Sequence, residues 1–271
     1  MKYTFLILIF ITFININHSF NHLFANINKI KINNNKKITD IKLLPIKKIP
    51  DYNTYINQYW YDPRIHNFGN TGITGFIHAI IAPFATKLID YLSYNNINVR
   101  RQILNTIPSN YSVIDFCCGI GYSTLNNSIG IDTSNQMLSV ARFINNNNKY
   151  FINYNAEYYG YENSCNVITV MFSAHEMPSN ARKNIINNAL KNAKNNVLIL
   201  DIDPYNFATT LLNKPGKGAA FLSGEPYILN YILEMNSDIN YCHTTNFLYW
   251  KLEKKNIINN HVVLWNFTYR F

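Results

Sequence analysis

Four short apolar runs restrict the fold more than any other feature of this chain. They are Ser112-Val-Ile-Asp-Phe116, Ser128-Ile-Gly-Ile-Asp132, Asn166-Val-Ile-Thr-Val-Met-Phe172 and Asn196-Val-Leu-Ile-Leu-Asp-Ile202. Each is close to continuously apolar and does not alternate, as expected of strands covered on both faces. Helix-like stretches at Ser134 to Asn145 and Ser179 to Lys194 separate them. Parallel neighbours need long crossovers, so the alternation predicts a doubly wound α/β sheet with helices on both faces. Two later runs, Tyr241 to Trp250 and His261 to Tyr269, have no clear helix between them and fit an antiparallel edge pair.

The charge is uneven. Residues 1 to 50 hold eight Lys and one acid, Asp40, whereas the other 221 residues carry 16 basic and 14 acidic side chains. The formal +9 therefore belongs to the N-terminal segment, and the nearly neutral body argues against phosphate-driven nucleic-acid binding. Residues 1–17 contain an apolar run, Phe5 to Ile14, of signal-peptide length and short of a bilayer span. Residues 18–50 are rich in Lys and Asn and resemble a transit peptide. Together they resemble the bipartite presequence that leads into plastids of secondary endosymbiotic origin; secretion, or a membrane anchor through an uncleaved N-terminus, are the alternatives. Residues 51–271 read as one domain, with 51–100 a helical cap and 205–238 a lid insertion. The four cysteines, Cys117, Cys118, Cys165 and Cys242, have no metal-type spacing and suggest no disulfide framework.

Val113-Ile-Asp-Phe-Cys-Cys-Gly-Ile-Gly121 is a strand that ends in a carboxylate and a glycine-bearing turn, where an open α/β sheet takes its ligand. Eleven residues beyond Gly121, Asp132 ends the second run and is placed to accept from ribose hydroxyls. A dinucleotide fingerprint would need a third glycine at position 124, which is Thr.

The stretch Val113 to Ser123 resembles motif I of the class I S-adenosylmethionine-dependent methyltransferases. Gly130-Ile-Asp-Thr-Ser134 with Met137-Leu is similar to their second motif, Asn155-Ala-Glu157 to their D-A-E element, and Val167 to Pro178 and Val197 to Pro204 to their fourth and fifth strands. The resemblance spans about residues 100 to 205. It implies a Rossmann-like, doubly wound, mostly parallel seven-stranded sheet with an antiparallel C-terminal edge pair, and S-adenosyl-L-methionine as cofactor. It assigns cofactor contacts to Asp115, Cys117, Gly119, Gly121, Asp132, Met137, Asn155, Ala156 and Phe172. Three positions depart from the family: Cys117 replaces the first glycine, Asn155 replaces an acid, and Asn195-Asn196 stands where a Gly-Gly turn precedes the fifth strand.

In this family the loop after the fourth strand faces the methyl group, and here it reads Phe172-Ser-Ala-His-Glu-Met-Pro178. His175 suits a general base, its unperturbed pKa being about 6.5, with Glu176 orienting it; the alternative is a packed loop histidine. No metal site is expected. The segment Arg64 to His78 is too Gly-rich for an ordinary helix and is expected to close over the site or to enter a plain helical cap. Glu225 and Tyr227 are candidate substrate contacts. The resemblance implies methyl transfer to O or C of a small-molecule acceptor; a protein or RNA acceptor, or a non-catalytic binding module, are the alternatives.

Overall fold

The computed structural model describes residues 58–62, 65, 68–145, 148–204, 226–236, 249–258 and 262–270. The presequence-like segments, the insertion from 205 to 225 with Glu225, and Cys242 lie outside the described residues, as does most of the Tyr241 to Trp250 run.

Seven strands form one sheet: β1 (Val113–Phe116), β2 (Ile129–Asp132), β3 (Tyr150–Asn153), β4 (Cys165–Met171), β5 (Ala193–Ile202), β6 (Trp250–Ile257) and β7 (Val262–Tyr269). Their order is β3-β2-β1-β4-β5-β7-β6. The first five are parallel, and β7 runs antiparallel to both β5 and β6. The helices are α1 (Gly72–Ser93), α2 (Val99–Leu104), α3 (Asn135–Ile144), α4 (Ser179–Asn192) and α5 (Ile228–Asn236). This is the doubly wound sheet with an antiparallel edge pair that the apolar runs imply.

Along each central strand, alternate side chains enter different cores. Ile114, Phe116, Ile168, Val170 and Ile199 join one core with α4 and α5, with Trp265 of β7 fully buried inside it. Val113, Val167 and Leu198 pack on the other face with Ile103 and Ile107, and Leu200 packs beneath Tyr94, Val99 and Leu104. Helix starts follow local chemistry: Asn98 caps α2 by accepting from Arg101 N at 2.8 Å, and Ser134 caps α3 by accepting from Met137 N at 3.1 Å.

Two details differ from the sequence reading. β6 begins at Trp250, where the run was expected to end. Asn195-Asn196 forms no turn: β5 starts at Ala193, directly after α4, and these residues sit in the strand beside a bulge opposite Cys165–Val167. The Gly-rich segment is helical from Gly72 onward, which fits the helical-cap alternative. Gly69 and Gly72 take left-handed φ at its entry, and a Cβ on Gly75 would stand 2.5 Å from the Asn70 carbonyl carbon, so the loop folds tightly against the first turn of α1.

Arg182 of α4 is a buried cation, 1% exposed. It donates through Nε to Ala174 O at 2.9 Å, through Nη2 to Met177 O at 2.8 Å and through Nη1 to Glu234 of α5 at 2.5 Å. One guanidinium thus pins the loop after β4 to two helices. Removing it strands two buried carbonyls, so Arg182→Ala is expected to lower unfolding free energy by about 3–5 kcal/mol. Glu234 is the counter-charge of this buried guanidinium, and Glu234→Gln, which keeps an acceptor but removes the charge, is expected to cost about 1–3 kcal/mol; urea denaturation of both variants checks the ranking.

Candidate active site

The turn after β1 is built on Asp115, which is fully buried. Ser123 Oγ and Thr124 Oγ1 donate to its Oδ2 at 2.8 and 2.7 Å, and Thr169 Oγ1 of β4 donates to its Oδ1 at 2.7 Å. Burial raises the pKa of this carboxyl and the three hydroxyls pull it back down. Asp115 therefore holds the turn from beneath, with both oxygens engaged inside the protein. Its place is structural and differs from the direct cofactor contact expected. Thr124, the residue that breaks the dinucleotide fingerprint, is one of the donors.

Cys117, Gly119 and Gly121 all have positive φ, of 58°, 51° and 77°. For Cys117 this conformation costs about 1–2 kcal/mol, and burial, more than the nearby Asp132, raises its thiol pKa well above the usual range. The two glycines serve different ends. Nothing lies within 4 Å of where a Cβ on Gly119 would stand, so the backbone there faces open space. A Cβ on Gly121 would meet the Phe151 ring at 2.5 Å. Gly121 is thus also a packing glycine, required by β3.

Asp132, at the end of β2, accepts from Gly119 N through Oδ2 and from Ser134 N through Oδ1, both at 2.8 Å. Its carboxyl is pushed up to about 6, first by removal from water and then by Glu176 and Asp115, against the pull of the two N–H groups. The loop before α1 reaches this point, since Ser134 Oγ donates to Asn70 O at 2.5 Å. Tyr59, in the 3-10 turn Tyr59–Tyr61, lies close enough to Cys117, Glu157 and Asp132 for their charges to add to the burial that raises its phenol pKa. Tyr227 meets its ring edge-on at 6.4 Å. Tyr59 thus closes one side of the cleft, a role the composition could not single out among 20 tyrosines.

Asn155 turns its amide inward upon its own loop: Oδ1 accepts from Glu157 N at 2.9 Å and Nδ2 donates to Glu157 Oε1 at 3.1 Å. Ala156 is buried and its carbonyl accepts from Asn188 at 2.7 Å. Two further residues expected to meet the cofactor also pack on helices. Met137 is buried with Ile120 beneath Ala79 of α1. Phe172 has φ 55° and turns its ring to Tyr94, with the Arg100 guanidinium 4.1 Å from its centroid. In both cases an apolar side chain next to a tight turn finds a neighbouring helix to pack on.

The loop after β4 forms a second cluster. His175 is 4% exposed, with Nδ1 2.6 Å from Asp201 Oδ1 and its backbone N donating to Asp201 Oδ2 at 3.2 Å. Asp201 ends β5 and is fully buried. An ionised carboxylate only accepts, so with Asp201 charged Nδ1 carries the proton. Nε2 lies 3.6 Å from Glu176 Oε1. The orienting carboxylate is therefore Asp201 and not Glu176 as expected. Glu176 lies nearer the cleft, where its charge contributes to the raised pKa values of both Cys117 and Asp132. The open depression of about 480 Å³ at Asn163, Asn166, Lys194, Asn195 and Tyr269 adjoins the other ends of β4 and β5 and shares none of these residues.

No protein-family model and no curated protein sequence matches the chain. Solved structures do. In the complex between the Haloferax volcanii Trm112 methyltransferase activator and a chain described as a methyltransferase, the match has TM-score 0.50 at 11% identity, over 72% of this chain and 97% of the other. The plantazolicin methyltransferase BamL, solved with S-adenosylhomocysteine, matches over 76% of this chain and 95% of its own at 15% identity, TM-score 0.47. The methyltransferase domain of bacterial CtHen1 matches over 62% and 96% at 13% identity, TM-score 0.47. The sheet order and the first of these likenesses define the Rossmann-like fold of the class I methyltransferases.

The split between the two turn glycines is measurable. Gly121→Ala adds overpacking to left-handed strain and is expected to lose about 2–4 kcal/mol of stability. Gly119→Ala carries the strain alone, about 1–2 kcal/mol. Equal losses in denaturant melts would show that the Phe151 contact does not matter.

Proposed function

We propose that this chain is an S-adenosylmethionine-dependent methyltransferase that acts on O or C of a small acceptor. The observation that carries the reading is the pairing of Gly119 with Asp132 at the carboxyl ends of β1 and β2. Open space above one meets a carboxylate at the other, the place where doubly wound sheets bind ligands. The bound cofactor would supply a methyl group already activated on a sulfonium.

In this reading Gly119 lets the backbone approach the ligand, Asp132 accepts from its ribose hydroxyls, and Tyr59 and Tyr227 wall the cleft and exclude water. Asn155 offers the second lone pair of its amide oxygen to an amine. The row Asp201, His175, Glu176 manages the acceptor's proton. Glu176, nearest the cleft, takes it and can pass it back to the unprotonated Nε2 of His175, whose ring Asp201 fixes through Nδ1. A base is unnecessary for an acidic acceptor. The near-neutral body keeps a small acceptor ahead of RNA. For location, we propose secretory entry and a plastid of secondary origin, on the composition of residues 1–50.

Calorimetric titration with S-adenosylmethionine tests the cofactor. Micromolar binding is expected, and Asp132→Ala is expected to weaken it at least tenfold; absence of binding by folded protein would end the proposal. The pH dependence has a defined sign. Above about 6 the Asp132 carboxyl is charged and accepts fully, and as pH falls through that value it protonates. Affinity should drop about tenfold per unit below it, whereas Asp132→Asn should bind weakly with a flat profile.

The acceptor chemistry is read with a labelled methyl group and an acceptor screen. Glu176→Gln and His175→Gln are expected to lower turnover on a neutral hydroxyl acceptor by about 10²-fold or more with cofactor affinity unchanged. Turnover equal to wild type in both would return the cluster to a packing role.

A further inference from the structure

Helix α1 is oriented opposite to the usual rule for a surface helix. Its small residues point inward, Gly75, Ala79 and Ala82 facing Asn70, Ile120 and Met137. Its large apolar residues point outward at spacings of three and four: Ile73 is 83% exposed, Phe84 58%, Leu88 49% and Tyr91 64%, with Phe76 in the same stripe. A 22-residue helix of this kind is long and apolar enough to cross a bilayer. It does not do so here, because the inward face is built into the domain: Ala79 is fully buried, and Asp90, paired with Arg100 at 3.5 Å, is nearly so.

Between residues 68 and 149 the exposed charges have one sign. Lys87 on α1, Arg101 on α2 and Arg142 on α3 are exposed. Arg101 is close enough to Lys149 for its charge to contribute to the lowered pKa of that ammonium, after burial. Between residues 68 and 149 the chain has three acids, and none is exposed: Asp90 and Asp115 are buried and Asp132 is half-buried. A broad apolar stripe on a segment whose exposed charges, between residues 68 and 149, are all cations matches the interface of an anionic bilayer, with acyl chains taking the stripe and headgroups the cations. Nucleic acid would use the cations and leave the stripe in water.

We infer that α1 is a membrane-docking helix, lying in the plane of an anionic lipid surface with Ile73, Phe84, Leu88 and Tyr91 buried among the lipids. Since the inward face rests on Ile120 of the turn after β1, the bilayer would lie about one helix diameter, some 10 Å, from the cleft.

The test is co-sedimentation of the full chain with vesicles of phosphatidylcholine alone and of phosphatidylcholine with one quarter phosphatidylglycerol. The partners are the triple variant Ile73→Glu, Phe84→Glu, Leu88→Glu and, as a charge control, Lys251→Glu with Lys255→Glu on β6. Residues 1–50, with the apolar run Phe5 to Ile14 and eight Lys against one acid, would bind anionic vesicles by themselves, so every variant is compared as the full chain and as the chain from residue 51, and the latter decides. Expected are stronger binding to the anionic vesicles, a loss of at least tenfold in the triple variant with its melting temperature retained, and little change in the control. The inference is overturned if the triple variant sediments like wild type. It is also overturned if wild type ignores both vesicles and binds a single-stranded RNA oligonucleotide, or forms a dimer that the triple variant breaks, since the stripe would then cover a second copy.

Discussion

Asp115 accepts three hydroxyl bonds in a place without water, and the geometry of the cleft descends from that arrangement. Two donors come from the turn after β1 and the third from β4. A buried carboxylate left with fewer partners would be driven to its neutral form. With three, it fixes Ser123 and Thr124 against the sheet at one end of a turn whose backbone is left-handed at Cys117, Gly119 and Gly121. The turn aims Gly119 N at Asp132 and leaves open space above it. On the far side Phe151 closes on Gly121, so β3 confines the turn from outside while Asp115 holds it from beneath.

Much of this was legible in the sequence, and the limits have physical causes. The central strands declared themselves because a strand buried on both faces must be apolar throughout. β3 did not, since Tyr150–Asn153 is a short edge strand whose residues are all half-buried. Asn195 and Asn196 suggested a turn because Asn tolerates left-handed backbone, yet here the side chains stay within the sheet, Asn195 bonding Asn166 and Asn196 bonding Asn266. Thr124 looked like a defect in a glycine motif, whereas it is a donor whose acceptor lies nine residues earlier. The motif positions marked where the cleft lies, but the division of labour within them is a matter of direction. Asp115 holds the turn from beneath, Met137 packs against its Ile120, and Phe172 turns its ring to Tyr94.

The second cluster shows what pattern reading misses when partners are far apart in the chain. His175 and Glu176 are adjacent, and adjacency suggested that one orients the other. The short contact is instead to Asp201, 26 residues later, because β4 and β5 pair in parallel and bring their carboxyl ends side by side. An acid at the end of β5 next to a histidine after β4 is the sequence signal that identifies such a pair. It is usable only once the strand order is assumed.

Asp132 and α1 illustrate a shared constraint. A carboxyl raised to about 6 opposes folding as pH rises through that value, since the unfolded chain ionises more easily, yet the ionised form is the better acceptor for a ligand hydroxyl. The site thus holds a group whose useful state the fold disfavours. It compensates with two backbone donors, one from the turn and one from Ser134, and Ser134 is itself tied to Asn70 before α1. That tie draws α1 in so closely that its inward face can carry only small residues where it meets the Asn70 backbone and Ile120. The apolar bulk is left on the outside. The exposed stripe therefore has a cause at the cleft: the close approach that steadies Asp132 also turns the large side chains of α1 toward whatever the domain rests on.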